Sequence, residues 1–178
     1  GCVAAASFLK GAFILKNLKK YILAFLSIAG LVGLDQWTKS LAVTHLQGKP
    51  GHVLIPGVFE LLYTENRGAA FGIFQNQRIV FLIITVVILL AVIYCFVKIP
   101  STKRFLPLQC LCVLISSGAI GNMIDRLLNG YVVDFLYFSL IDFPVFNVAD
   151  CYVTGGAVLA FVLLFWVYKD DELKGILR

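Results

Sequence analysis

Nineteen consecutive residues, Ile79 to Val97, carry no charge. At 1.5 Å per residue a helix of that length crosses a hydrocarbon core of about 30 Å. Val148 to Tyr168 forms a second apolar run, broken by a single acid, Asp150. Phe105 to Leu128 forms a third, charged only near its end, and Tyr21 opens a fourth that meets Asp35, Gln36 and Lys39 in its outer third. This pattern predicts four membrane helices. The stretch from Leu46 to Arg78 reads differently. Val53 to Ile55 and Phe59 to Thr64 carry strand-favouring residues, punctuated by Pro50, Gly51, Pro56 and Gly57, so a small sheet is expected there. The predicted fold class is an all-α polytopic membrane protein, with four transmembrane helices and a small extracytoplasmic β-sheet on the membrane surface. No linker, charge block or internal repeat divides the chain, so residues 1–178 are expected to form one membrane-embedded domain.

Composition agrees: 60% of the 178 residues are hydrophobic and 14% charged, with a mean hydropathy of +0.92. That is too apolar for a soluble domain of this size. The net charge of +5 would suggest nucleic acid if it were clustered on a soluble face. Here ten of the fifteen basic residues fall in three places: before the first span (Lys10, Lys16, Lys19, Lys20), between the second and third (Lys98, Lys103, Arg104), and after the fourth (Lys169, Lys174, Arg178). The positive-inside rule makes that side cytoplasmic. Both termini are then inside, and no nucleic-acid partner is expected. The five cysteines lack metal-ligand spacing, and the four within apolar segments are expected to pack as small hydrophobes. A lipid-modified Cys2 stays open, although with only one residue before it no lipobox can be read.

The rise per residue locates the acids. Asp35 lies about 22 Å beyond Lys20, Asp125 about 31 Å beyond Arg104, and Asp150 about 28 Å before Lys169. All three approach the outer leaflet, and Asp134 follows in the outer loop. An ionised carboxylate at a helix centre costs roughly 2.5–3.5 kcal/mol, so acids in such surroundings point to function. Asp134 and Asp150, each among apolar residues, are the minimum equipment for acid/base activation of water.

Each polar group also has a structural reading. Asn122, Asp125 and Arg126 share one helix face at i, i+3 and i+4. They can form a polar wall in which Arg126 positions anionic groups, or an ion pair of Asp125 with Arg126 or a neighbouring helix. Asp35 and Lys39 have the i, i+4 spacing of a helix salt bridge, or Lys39 snorkels to the interface. Gly118 and Gly121 permit close helix approach. The run from Asn66 to Gly72 is turn-prone and small. His45 and His52 lack a partner motif, and Ser116, Ser117 and Ser139 have no base nearby in sequence.

Taken together, the chain resembles the bacterial lipoprotein signal peptidase (signal peptidase II) family. The matching segments are Asp35-Gln36-Trp37-Thr38-Lys39, Asn66 with Gly68-Ala69-Ala70-Phe71, Gly121-Asn122-Met123-Ile124-Asp125-Arg126, Val133-Asp134-Phe135 and Phe146-Asn147-Val148-Ala149-Asp150. They occur in the family's order over about Tyr21 to Tyr168, with Ser117 where glycine is common. Residues 1–15 form a leader that the motifs do not cover. The resemblance implies an intramembrane aspartyl endopeptidase of the cytoplasmic (inner) membrane, with its active site near the extracytoplasmic face. Its substrates would be diacylglyceryl-modified prolipoproteins, cleaved on the amino side of the lipidated cysteine. Asp134 and Asp150 match the catalytic dyad. Asp35, Lys39, Asn66, Gly68, Asn122, Arg126, Asn147 and Ala149 match supporting and substrate-contact positions, and Asp125 is placed with them. No metal or cofactor is expected. Membrane lipids are the other partners, and the chain is expected to act as a monomer.

The alternative is a proton- or ion-coupled transporter using intramembrane carboxylates, which predicts acids staggered across the bilayer and often repeated halves. A non-catalytic tetraspan scaffold would leave the acid pair without a role.

Overall fold

The computed structural model describes residues 2–68 and 77–177, with side chains described for 17–68 and 77–176. Ala69, Ala70 and Phe71 of the matched motif lie outside the described residues, and Cys2 is placed by its backbone alone.

Four helices have the length and apolarity to cross a membrane: Asn17–Leu46, Arg78–Lys98, Lys103–Leu128 and Val148–Val167. The first belongs to α1 (Cys2–Leu46), the second is α2 (Arg78–Lys98), the third is a 3-10 turn leading into α3 (Leu106–Leu128), and the fourth is α4 (Val148–Val162) continued by a π-helical turn. A short α5 (Asp170–Leu177) follows. The chain is thus a multi-pass membrane protein, as its hydropathy predicts.

Close packing of α3 requires its glycines. A Cβ on Gly118 would lie 2.6 Å from Val153 Cγ2 and collide with the Ala149 carbonyl oxygen of α4. One on Gly121 would lie 2.6 Å from Asp35 Oδ2 of α1. Small residues therefore let the α4 backbone and the Asp35 carboxylate approach α3 where the polar groups are. Of the four cysteines with described side chains, Cys112 is buried, while Cys95, Cys110 and Cys151 are exposed on the protein surface. Cys112 thus packs in the core as expected, while Cys151 borders the cavity described below.

The sheet has three antiparallel strands in the order β1 (His52–Ile55), β2 (Phe59–Asn66), β3 (Val132–Tyr137). Two were predicted. The third corrects the expectation that Asp134 lies in a loop: Gly130, at φ 83°, turns the chain out of α3 and Val132 to Phe135 enter the sheet fully buried. Thr64 pairs with Asp134 and Asn66 with Val132. Val133 and Phe135 pack with Ala42 near the end of α1, which ties the sheet to one end of the bundle.

The opposite end is held differently. Lys20 Nζ donates to the Phe96 and Ile99 carbonyls (2.5 and 2.7 Å), satisfying the last turn of α2. Arg104 donates to both oxygens of Glu172 (3.0 Å each) and stacks over Tyr168. A cluster of Ile99, Leu108, Cys112, Leu163, Tyr168 and Ile176 fills the space between.

Candidate active site

Asp150 opens α4 as the third residue of a capping box. Asn147 Oδ1 accepts from the Asp150 amide (3.0 Å), and Asp150 Oδ2 accepts from the Asn147 amide (3.1 Å). The reciprocal pair satisfies two amides that a helix start leaves unpaired. Asp150 Oδ1 accepts from Asn122 Nδ2 at 2.8 Å, reaching across to α3.

Asp134 is 1% exposed and held by two side-chain amides. Its Oδ2 accepts from Asn66 Nδ2 (2.9 Å) of the adjacent strand, and its Oδ1 accepts from Asn147 Nδ2 (2.6 Å). Asn147 therefore touches both acids, and it also donates to Asn122 Oδ1 (3.1 Å). Burial, and then the neighbouring Asp150 carboxylate, push the Asp134 carboxyl up to about 7 despite the opposing amides of Asn66 and Asn147 and the charge of Lys39.

Behind this pair lies a buried ion network. Lys39 Nζ lies 3.0 Å from Asp35 Oδ2 and 3.1 Å from Asp125 Oδ2, and donates to Asn122 Oδ1 at 2.9 Å. Lys39 is 3% exposed, which corrects the snorkelling alternative: three acceptors within the bundle already take its three protons. The alternative of an Asp125–Arg126 ion pair is also corrected, because Asp125 points at α1. Arg126 instead donates to the Asn122 and Gly68 carbonyls (3.3 and 3.4 Å) and stacks over Phe81 of α2. Asn66 Oδ1 accepts from the Gly68 amide (3.0 Å), fixing the turn after β2. Ala149, fully buried, donates its amide to Asp35 Oδ1 at 2.9 Å.

All eleven residues singled out from the sequence thus meet at the sheet end of the bundle. Asp134, Asp150, Asn66, Gly68 and Arg126 line a cavity of about 880 Å³. Asp35, Lys39, Asn122, Asp125, Asn147 and Ala149 form the layer behind it. Sequence reasoning missed two features. Phe138, Ile141, Phe143 and Phe146 make an apolar wall to the same cavity, and Gln36 joins the ion network through three hydrogen bonds. The position of Gln36 between Asp35 and Lys39 was the available signal for the second. A cavity with carboxyls at its floor and aromatics on one side can take a peptide bond attached to an apolar group.

The family model for signal peptidase (SPase) II matches residues 27–166. This chain belongs to the signal peptidase II family. A relative from Streptococcus thermophilus named lipoprotein signal peptidase is 46% identical over 146 residues, covering 82% of this chain and 94% of its own. One of the same name from Caldanaerobacter subterraneus subsp. tengcongensis is 43% identical over 145 residues, covering 80% and 97%. Two solved structures described as bacterial membrane enzymes also match. One has a TM-score of 0.72 at 35% identity, covering 80% of this chain and 87% of its own; the other 0.70 at 34%, covering 82% and 94%. The signal peptidase II match takes in every site residue above and stops short of the leader and α5.

Proposed function

We propose that this chain removes the signal peptide from diacylglyceryl-modified prolipoproteins, with Asp134 and Asp150 as its catalytic pair. Membership of the signal peptidase II family supports the reaction class. The observation that carries the residue assignment is Asn147, whose one side chain bonds a carboxyl from β3 and the amide of the acid that opens α4.

Two adjacent carboxyls resist simultaneous ionisation, so one holds a proton while the other is a base. Asp134, 1% exposed and the more buried of the two, is the member suited to hold it. Asp150 then takes a proton from a water placed between them, and the oxygen attacks the scissile carbonyl carbon. Asp134 donates to the carbonyl oxygen as it gains charge. Collapse of the tetrahedral intermediate breaks the C–N bond, and a carboxyl proton goes to the departing nitrogen on the lipidated cysteine. Asn66, Asn122 and Asn147 keep the carboxyls in position, and Arg126 stands at the rim to meet anionic or carbonyl oxygens.

The basic residues Lys20, Lys98, Lys103, Arg104 and Lys169 lie at the end of the bundle away from the sheet. By the positive-inside rule this favours cytoplasmic termini and an active site at the extracytoplasmic face. Both acids come from one chain, which favours a monomer as the working unit and residues 1–178 as one peptidase domain. The lipid-facing surfaces of its helices make membrane lipids the remaining partners. Asp35, Asp125, Asp134 and Asp150 cluster at one end rather than stepping across the bilayer, which argues against the transporter alternative.

The test is cleavage of a diacylglyceryl-modified prolipoprotein by the protein in liposomes. Asp134→Asn and Asp150→Asn are each expected to lower turnover by about 10²–10⁴-fold, the span of general acid–base catalysis, while still folding and binding substrate. Near-normal turnover by either variant would remove that residue from the mechanism.

A further inference from the structure

The ion network grips the two acids in the same way. Asp125 Oδ2 accepts from the amide of Val133 at 3.0 Å, and Val133 immediately precedes Asp134. Asp35 Oδ1 accepts from the amide of Ala149 at 2.9 Å, and Ala149 immediately precedes Asp150. Each buried carboxylate therefore holds the backbone one residue before one acid. Whatever sets the separation of Asp35 from Asp125 also sets the separation of those two backbone positions.

Two side chains span that gap. Lys39 contacts Asp35 Oδ2 and Asp125 Oδ2. Gln36 Nε2 donates to Asp35 Oδ2 (3.1 Å), to Asp125 Oδ1 (2.9 Å) and to the Gly121 carbonyl (3.2 Å). Lys39 supplies one positive charge for two carboxylates. The Gln36 amide is the neutral donor that lets the two acids lie side by side, and among the described residues it alone bonds both of them and the α3 backbone. Nothing in this arrangement reaches the cavity, so Gln36 has no route to the substrate except through the acids it positions.

We propose that Gln36 is a positioning residue for catalysis, acting with Lys39 as a yoke that fixes the spacing of Asp134 and Asp150 through Asp125–Val133 and Asp35–Ala149. The inference rests on the reading of Asp134 and Asp150 as the catalytic pair. Leucine at position 36 keeps similar bulk and removes both donors. Asp125 Oδ1 and the Gly121 carbonyl then lose that partner, and Lys39 is left as the one bridge between the two acids.

The experiment is steady-state cleavage of diacylglyceryl-modified prolipoprotein by wild type, Gln36→Leu and Asp134→Asn in liposomes, well below each protein's unfolding temperature. A misplacement of about 1 Å can cost on the order of 10²-fold in rate. Gln36→Leu is therefore expected to lose about 100-fold in kcat while KM stays within about twofold of wild type. A structural role alone would leave kcat of the folded fraction unchanged, and that result, with Asp134→Asn inactive, overturns the yoke but keeps the catalytic pair. A rise in KM with kcat intact also overturns it, by placing Gln36 in substrate binding. Turnover by Asp134→Asn overturns both readings.

Discussion

α2 and α3 are packed side by side and are nearly equal in length, at 21 and 23 residues, yet they use their surfaces in opposite ways. α2 is almost wholly apolar and contributes no buried residue. α3 buries Leu108, Cys112, Ser116, Ser117, Gly118, Gly121 and Asp125. In water the more apolar helix would be the interior one. Lipid is as apolar as leucine, so hiding leucine from it gains little, and helices associate through small residues and polar contacts instead. The interior of this bundle is therefore marked by glycine, serine and charge, and its exterior by hydrophobicity.

The largest effects should come from breaking the polar interior. Lys39→Met strands Asp35 and Asp125 without their cation in a site where both are at most 3% exposed. Losing one partner of a buried charge pair costs about 3–5 kcal/mol. We predict that loss in denaturant unfolding in detergent, with cleavage abolished. Adding Asp125→Asn removes one stranded charge and should restore part of the stability; strictly additive losses would show that the two side chains are not coupled.

Next in size is the glycine seam. Gly118→Ala places a methyl against the Ala149 carbonyl and Val153. α3 and α4 must separate, and α4 carries Asp150 at its first turn. Overpacking of this kind costs about 1–3 kcal/mol. Turnover should fall along with the unfolding midpoint, and an unchanged midpoint would mean that the contact is not tight.

This contrast explains what could be read in advance. The spans were legible because hydropathy reports lipid exposure, and the clustering of the acids at one end of the bundle followed from helix rise. β3 was not legible. Val132 to Phe135 are all buried, so they lack the alternation that marks a half-buried strand, and an acid in their midst reads as a loop. Lys39 showed its i+4 relation to Asp35, but no local pattern could place Asp125 on its other side. Gln36 stood beside two charged residues and carried no charge to draw attention. The aromatic wall around Phe138 to Phe146 has no period, because irregular chain builds it.

A smaller, graded effect concerns pH. Asp134 is pushed up to about 7 in the folded protein, against about 3.9 when unfolded. Between those values the native state binds more protons than the unfolded one, so stability is greatest below about pH 4, declines as pH rises toward about 7, and then levels off. The slope contributed is at most about 1.4 kcal/mol per pH unit. Unfolding of the wild type from pH 4 to 8 should show this decline, and Asp134→Asn should flatten it. An equal slope in the variant would assign the decline to other groups.

The smallest effect should come from α2. Ile83, Val87 and Leu90 are 59%, 60% and 62% exposed and fall on one stripe of the helix. On the proposed reading their neighbours are acyl chains, which adapt to shape as a packed protein interior does not. Val87→Leu adds one methylene there. The change in stability should stay within about 0.5 kcal/mol, the usual range for a surface site, and turnover should match wild type. The same methylene on α3, at Gly118, has no space to enter. If Val87→Leu in liposomes cost as much as Gly118→Ala, the stripe on α2 would have to contact protein, and the division between a lipid-facing helix and a site-building one would fail.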